Sequence, residues 1–220
     1  GVDRDALFEA MASASRVYPL TTSFFWRPLD FQWIPEFCFG WHRAYKKIGY
    51  RGFYDIKDFM NNEPLEGAGV QSIANWVATC KSEPCLRQGV RSPLDVAADL
   101  EANASRALEL LTRVEGESRG GEWEETVNDI RSMSLLGLYY AAKIRGAADL
   151  AKFIATGEGT FQESSVRHLK QALQHWDDYT AAYTELRRQP LFWNRHRWID
   201  LRMLRHDVAK DIAIAQQWEL

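Results

Sequence analysis

The sequence predicts an all-α fold, an up-and-down bundle of long helices with an irregular, aromatic-rich N-terminal part. Three observations carry this. From Ser92 onward apolar residues recur at steps of three and four over stretches too long for strands. The breaks between those stretches are short and hold Gly or Pro, at 116–121, 157–159 and Pro190. The composition, 46% hydrophobic and 26% charged over 220 residues, suits one sizeable core and excludes disorder.

The long helices are read from their stripes and ends. Ser92-Pro93-Leu94-Asp95 is a start signal: a hydroxyl to accept from freed N–H groups, a proline suited to the first turn, and an acid suited to the helix dipole. The stripe that follows is Leu94, Ala97, Leu100, Ala104, Leu108, Leu111 and Val114. A second helix, over about 122–155, carries Val127, Ile130, Met133, Leu136, Tyr140, Ile144, Ala147, Ala151 and Ile154. At 1.5 Å per residue it spans roughly 50 Å. Thr160-Phe161-Gln162-Glu163 reads as a capping box for a third helix bearing Val166, Leu169, Leu173, Trp176, Tyr179, Tyr183 and Leu186. The fourth carries Leu201, Leu204, Val208, Ile212 and Ala215. Short connections between long helices favour antiparallel neighbours. No self-similarity at a fixed period supports a tandem repeat.

Before residue 92 the pattern is irregular. Residues 3–16 read as a helix stopped by Pro19, and Leu20–Trp26, β-branched and aromatic, as one short strand. A helix is expected over 36–47, and two short ones over Asp55–Asn61 and Ser72–Cys80. Residues 62–69 form a surface loop. The chain thus divides into an irregular segment, 1–91, and a four-helix bundle-like domain, 92–220. The opening Gly1-Val2-Asp3-Arg4, without Met, reads as a piece cut from a longer precursor.

Several functional classes recede at once. A net charge of −3 with interspersed signs argues against a nucleic-acid binder. No apolar run reaches the length of a membrane span, so no membrane partner is expected. No nucleophile elbow, phosphate loop or dinucleotide fingerprint occurs, so no cofactor is expected. Glu-x-x-His pairs are absent, and His168 and His175, seven apart, read as boundary residues, so no metal site is expected. Cys38 and His42 lie one helical turn apart, a spacing that rarely supplies a catalytic dyad. Cys80 and Cys85 read either as a small disulfide loop or as two unrelated thiols. The basic residues Arg187, Arg188, Arg195, Arg197, Arg202 and Arg205, beside Trp193 and Trp198, read chiefly as a salt-bridged face.

The richest stretch is 24–36, Phe-Phe-Trp-Arg-Pro-Leu-Asp-Phe-Gln-Trp-Ile-Pro-Glu. It mixes rings with Arg27, Asp30, Gln32 and Glu36, as sugar sites do: carboxylates and amides meet hydroxyls, and rings meet the apolar sugar face. The competing reading is a hydrophobic plug with acids at its rim. The candidate substrate-binding residues are Trp26, Asp30, Trp33 and Glu36, with no catalytic residue assigned. Two carboxylates close together can also split glycosidic bonds, which would make Asp30 and Glu36 a self-contained enzyme's pair.

The segments 14–22 (Ala-Ser-Arg-Val-Tyr-Pro-Leu-Thr-Thr) and Trp33-Ile34-Pro35-Glu36 resemble a region of bacterial α-glucuronidase-like glycoside hydrolases. In that family a comparable helix end leads into a late barrel strand and a Tyr-Trp-Pro-Glu loop; this chain has Trp-Ile-Pro-Glu. Residues 139–147 and 168–176 are similar to the helical tails of large secreted carbohydrate-active proteins. The resemblance implies an accessory C-terminal helical domain, periplasmic or extracellular, that packs on an upstream catalytic barrel and contacts a polysaccharide or oligosaccharide. The general acid and base would then lie upstream. A homodimer through the bundle is a further expectation. The alternative is a helical scaffold for a partner protein, with no sugar site.

Overall fold

The computed structural model describes residues 3–25, 33–40, 52–80, 89–114, 120–193 and 197–220. Trp26, Asp30, His42, Cys85 and Arg195, named above, lie outside the described residues, as does most of the helix expected over 36–47. The fold is all-α, with two very small sheets.

Four helices form the bundle: α5 (Pro93–Leu111), α6 (Gly121–Thr156), α7 (Gly159–Leu186) and α8 (Leu201–Gln216). Their contacts run in opposite directions along each pair. Asn128 reaches the Ala182 carbonyl at 2.8 Å, while Ser165 reaches that of Gly146 at 2.7 Å, so α6 and α7 are antiparallel. Arg205 meets Asp177, while Gln162 meets Ala215, so α7 and α8 are antiparallel too. Helix α6 is central: half of its 36 residues are buried, including every residue from Tyr139 to Ile144. That is why its apolar set is wider than a single stripe. Ser92 caps α5 with the reciprocal bonds of a capping box to Asp95. The box expected at Thr160 does not form. Helix α7 begins at Gly159, straight after the left-handed Gly157 that ends α6. Gln162 instead donates to carbonyls at the end of α8.

The N-terminal part is more helical than its composition suggests. After α1 (Arg4–Ala14), the stretch expected to be a strand is helix α2 (Val17–Phe25). Pro19 occupies its third position, where a backbone N–H has no intrahelical acceptor to lose. The buried residues Val17, Thr21, Phe24 and Phe25 lie on one helical face, and burying that face outweighs β propensity. A 3₁₀ turn (Pro35–Phe37) and strand β1 (Phe39–Gly40), paired with β2 (Gly52–Phe53), stand where the start of a helix was expected. Short helices α3 (Ile56–Met60) and α4 (Ile73–Thr79) follow, capped by Asp55 and Ser72 at the expected boundaries. Asn62, in the expected surface loop, is buried. Its amide donates to the Phe24 carbonyl at 2.8 Å and accepts from the Ile73 amide at 3.0 Å. A second hairpin, β3 (Leu191–Trp193) and β4 (Arg197–Ile199), joins α7 to α8.

One core unites both parts. Phe25, Tyr54, Phe59 and Trp76 pack in the same cluster as Leu136, Tyr140, Trp176 and Leu204. A smaller cluster joins α1, α5 and the first turns of α6. Close approach to α6 depends on glycine. A Cβ on Gly137 would meet Val17 Cγ2 at 2.8 Å and Ala104 Cβ at 3.2 Å, neither at the end of a flexible chain.

Gly137→Ala should therefore destabilise the fold, the overpacking cost of about 1–3 kcal/mol exceeding a helix-propensity gain of about 1 kcal/mol. Gly159→Ala, where a Cβ meets nothing within 4 Å, should be neutral or stabilising. Chemical denaturation of the two variants against the parent chain checks the contrast.

Candidate functional site

Glu36 marks the site. It sits in the 3₁₀ turn that the left-handed Cys38 (φ 50°) closes. Two bundle tyrosines hold this turn by its carbonyls: Tyr140 donates to Pro35 O, and Tyr179 donates to Glu36 O at 3.1 Å. The Glu36 side chain then lines a cleft of about 240 Å³ between α2, α6 and α7. Tyr18 enters from α2, and Asp129, Ser132 and Met133 from α6. Tyr179 and Tyr183 come from α7, and Arg187 from just beyond its end.

Burial lifts the Glu36 carboxyl above its ordinary value; hydrogen bonds from its own backbone and from the Tyr18 hydroxyl offset only part of this. Burial, and then the nearby Glu36 charge, raise the Tyr18 phenol as well. Arg187 is already engaged. It pairs with Asp129, donates to Asn128 Oδ1 at 3.0 Å and lies over the Tyr183 ring, 4.5 Å from its centroid. The cleft thus brings together a carboxyl of raised pKa, three tyrosine side chains and an internally paired guanidinium.

Trp33 does not line this cleft. Its half-buried ring packs 4.7 Å from Phe25, 5.8 Å from Tyr54 and 6.0 Å from Tyr140, inside an aromatic plug completed by Phe59. Its Nε1 is buried without a hydrogen-bond partner. Of the four candidate residues, then, Glu36 is in the cleft, Trp33 is in the plug behind it, and Trp26 and Asp30 are outside the described residues. The basic strip is largely salt-bridged where it is described: Arg187 to Asp129, Arg202 to Asp200 and Arg205 to Asp177. His168 meets Asp149 at 3.0 Å, and burial lowers the His175 pKa. Among the described residues no group of three or more His, Cys, Asp or Glu could hold a metal ion, and no helix is long and apolar enough to cross a membrane.

Beneath the plug lies a buried ion pair that the apolar stripes concealed. Lys143 Nζ, fully buried, stands 2.8 Å from Asp211 Oδ2, off the direction of a good hydrogen bond, so this contact is chiefly coulombic. The ammonium donates to the Tyr54 carbonyl at 2.7 Å and to the Tyr139 hydroxyl at 3.2 Å, and lies 4.3 Å from the Phe53 ring centroid. Asp211 Oδ1 accepts the Ile56 amide at 2.8 Å. Burial alone would lower the Lys143 pKa, but Asp211 and Cys38 more than reverse this, leaving it raised. One pair therefore ties α6, α8 and the 54–56 segment together.

The arrangement defines a helical-bundle domain with a small polar cleft at the junction of its irregular and regular parts. Comparison with protein-family models, with curated proteins and with solved structures found no match.

The Glu36 shift has a sign. Its folded pKa lies above the unfolded value near 4.5, so the stability it contributes is full below that value and is lost as pH rises through the folded one. Glu36→Gln, which stays neutral, should raise Tm at pH 7 and lose that advantage near pH 4. Thermal melts at the two pH values check this.

Proposed function

We propose that this chain is an accessory helical domain of a carbohydrate-active protein, and that the Glu36 cleft binds a single sugar ring. One observation carries the reading: a carboxyl whose pKa is raised by burial lines a small cleft together with Tyr18, Tyr179 and Tyr183. A carboxyl accepts from sugar hydroxyls, and tyrosine hydroxyls both donate and accept. At about 240 Å³ the cleft falls below the roughly 300–1,000 Å³ typical of drug-sized ligands, which fits one ring better than an extended chain. The charge pattern favours a neutral sugar over a uronate. Arg187 is spent on Asp129 and Asn128, and Asp129 would repel a second carboxylate. On this reading bond cleavage belongs to a catalytic domain upstream in the same precursor, and the protein works in the periplasm or outside a bacterial cell.

A second reading, a helical scaffold that engages a protein partner or a second copy of itself, is favoured by a different observation. Phe192 and Trp198 pair across the β3–β4 hairpin at 5.3 Å and are 64% and 67% exposed. Grouped exposed apolar side chains of this kind mark interaction surfaces.

Isothermal titration with neutral monosaccharides, neutral oligosaccharides and uronates separates the two. The sugar reading expects saturable binding of a neutral sugar, weakened on the order of tenfold or more in Glu36→Ala, which leaves the Tyr18 hydroxyl without its partner. Binding of no sugar, or equal affinity in the variant, overturns it and leaves the scaffold reading in its place.

A further inference from the structure

Arg187 lines the Glu36 cleft on supports that do not depend on Asp129. Its Nη1 donates to Asn128 Oδ1 at 3.0 Å, and its guanidinium sits 4.5 Å from the centroid of the Tyr183 ring. Asn128 is itself fixed: it is 2% exposed, and its amide donates to the Ala182 carbonyl at 2.8 Å. The guanidinium is therefore held by a buried amide and by a ring, and it keeps its place whether or not an acid stands beside it.

Asp129 meets the remaining edge. It pairs with Arg187 Nη2, and its side chain is 54% exposed against 28% for that of Arg187. In a guanidinium Nη2 and Nε share one edge, and two parallel N–H bonds from such an edge are a common grip on a carboxylate. Asp129 and Arg187 both line the cleft. The chain's own carboxylate thus occupies the place that a ligand's carboxylate would take. A pair this exposed adds little to stability, because solvent screens it and ordering two side chains costs entropy. It has more consequence for what the cleft accepts than for the fold.

We infer that Asp129 is the residue that sets the charge class of the ligand. It covers the carboxylate-gripping edge of Arg187 and adds its own negative charge, so the cleft takes uncharged rings and refuses uronates. The inference rests on the sugar reading of the cleft, and adds to it one residue whose replacement moves the preference toward uronates.

Isothermal titration of the full chain at about pH 7, where a uronate is ionised, tests this with the matched pairs glucose and glucuronate, and galactose and galacturonate. The quantity read is the ratio of uronate to neutral affinity within a pair. In the parent chain the neutral ring should bind at least about tenfold more tightly. Asp129→Asn, and Asp129→Ala, which removes the occupant outright, should each move the ratio toward the uronate by at least about tenfold. Adding Arg187→Met to Asp129→Asn should abolish that gain, which a merely structural role for Asp129 would not predict. An unchanged ratio in both Asp129 variants, or a gain that survives Arg187→Met, overturns the inference and leaves the sugar reading standing if the neutral rings still bind. Failure of every sugar to bind the parent and the variants overturns both.

Discussion

A lysine ammonium with no water around it must find its counter-charge inside the protein, and the rest of this structure is arranged around that need. Transfer of an isolated charge to an apolar interior costs far more than a domain's net stability. Lys143 therefore requires Asp211, and the pair requires the Tyr54 carbonyl, the Tyr139 hydroxyl and the Ile56 amide to complete its hydrogen bonds. These partners come from α6, from α8 and from the segment between β2 and α3. The pair is thus a fastening between the irregular N-terminal part and the bundle. A hydrophobic contact there would be tolerant of sliding; a buried pair with fixed partners is not.

The position of the cleft follows. The Cys38 carbonyl accepts the Tyr54 amide at 2.8 Å, so the segment anchored by Lys143 in turn holds the end of the 3₁₀ turn. Tyr140 and Tyr179 hold the same turn from the bundle side. The turn sets the Glu36 carboxyl against the Tyr18 hydroxyl, where burial raises its pKa. The aromatic plug of Phe25, Trp33, Tyr54 and Phe59 fills the space between fastening and cleft. Among the described residues the aromatic side chains serve mainly to join the two parts, and those that meet the cleft are Tyr18, Tyr179 and Tyr183.

Much of this was legible in the residues. Periodicity located α5, α6, α7 and α8, and the Ser92 cap gave the start of α5, because those signals act within a few residues of chain. Helix α2 reads locally as a strand because Leu20–Trp26 is β-branched and aromatic, while its burial is decided by α5 and α6, far away in sequence. The Thr160 box failed because Gly157 and Gly159 allow α7 to start earlier, leaving Gln162 free for α8. The ion pair did leave a trace. Asp211 falls on the stripe Leu204, Val208, Asp211, Ala215, and Lys143 interrupts the apolar run from Tyr139 to Ile144. Two opposite charges at core positions of two helices are a signal for mutual pairing. At the cleft, Glu36 stands out in its loop as an acid among rings, but Tyr18 and Asp129 come from α2 and α6 and Arg187 from the end of α7, whose meeting no local pattern encodes.

The claim that one buried pair secures the N-terminal part, and with it the cleft, is tested most directly by residue-resolved hydrogen exchange in Lys143→Met. Loss of one partner of a buried pair typically costs about 3–5 kcal/mol, and here the cost should fall first on the segment the pair holds. The amides of Tyr54 and Ile56 should lose protection, while amides in the α6–α7 interface, such as those flanking Gly146 and Ser165, keep theirs. If Tyr54 and Ile56 exchange as slowly as in the parent chain, the pair is a passenger in a core that other contacts already define.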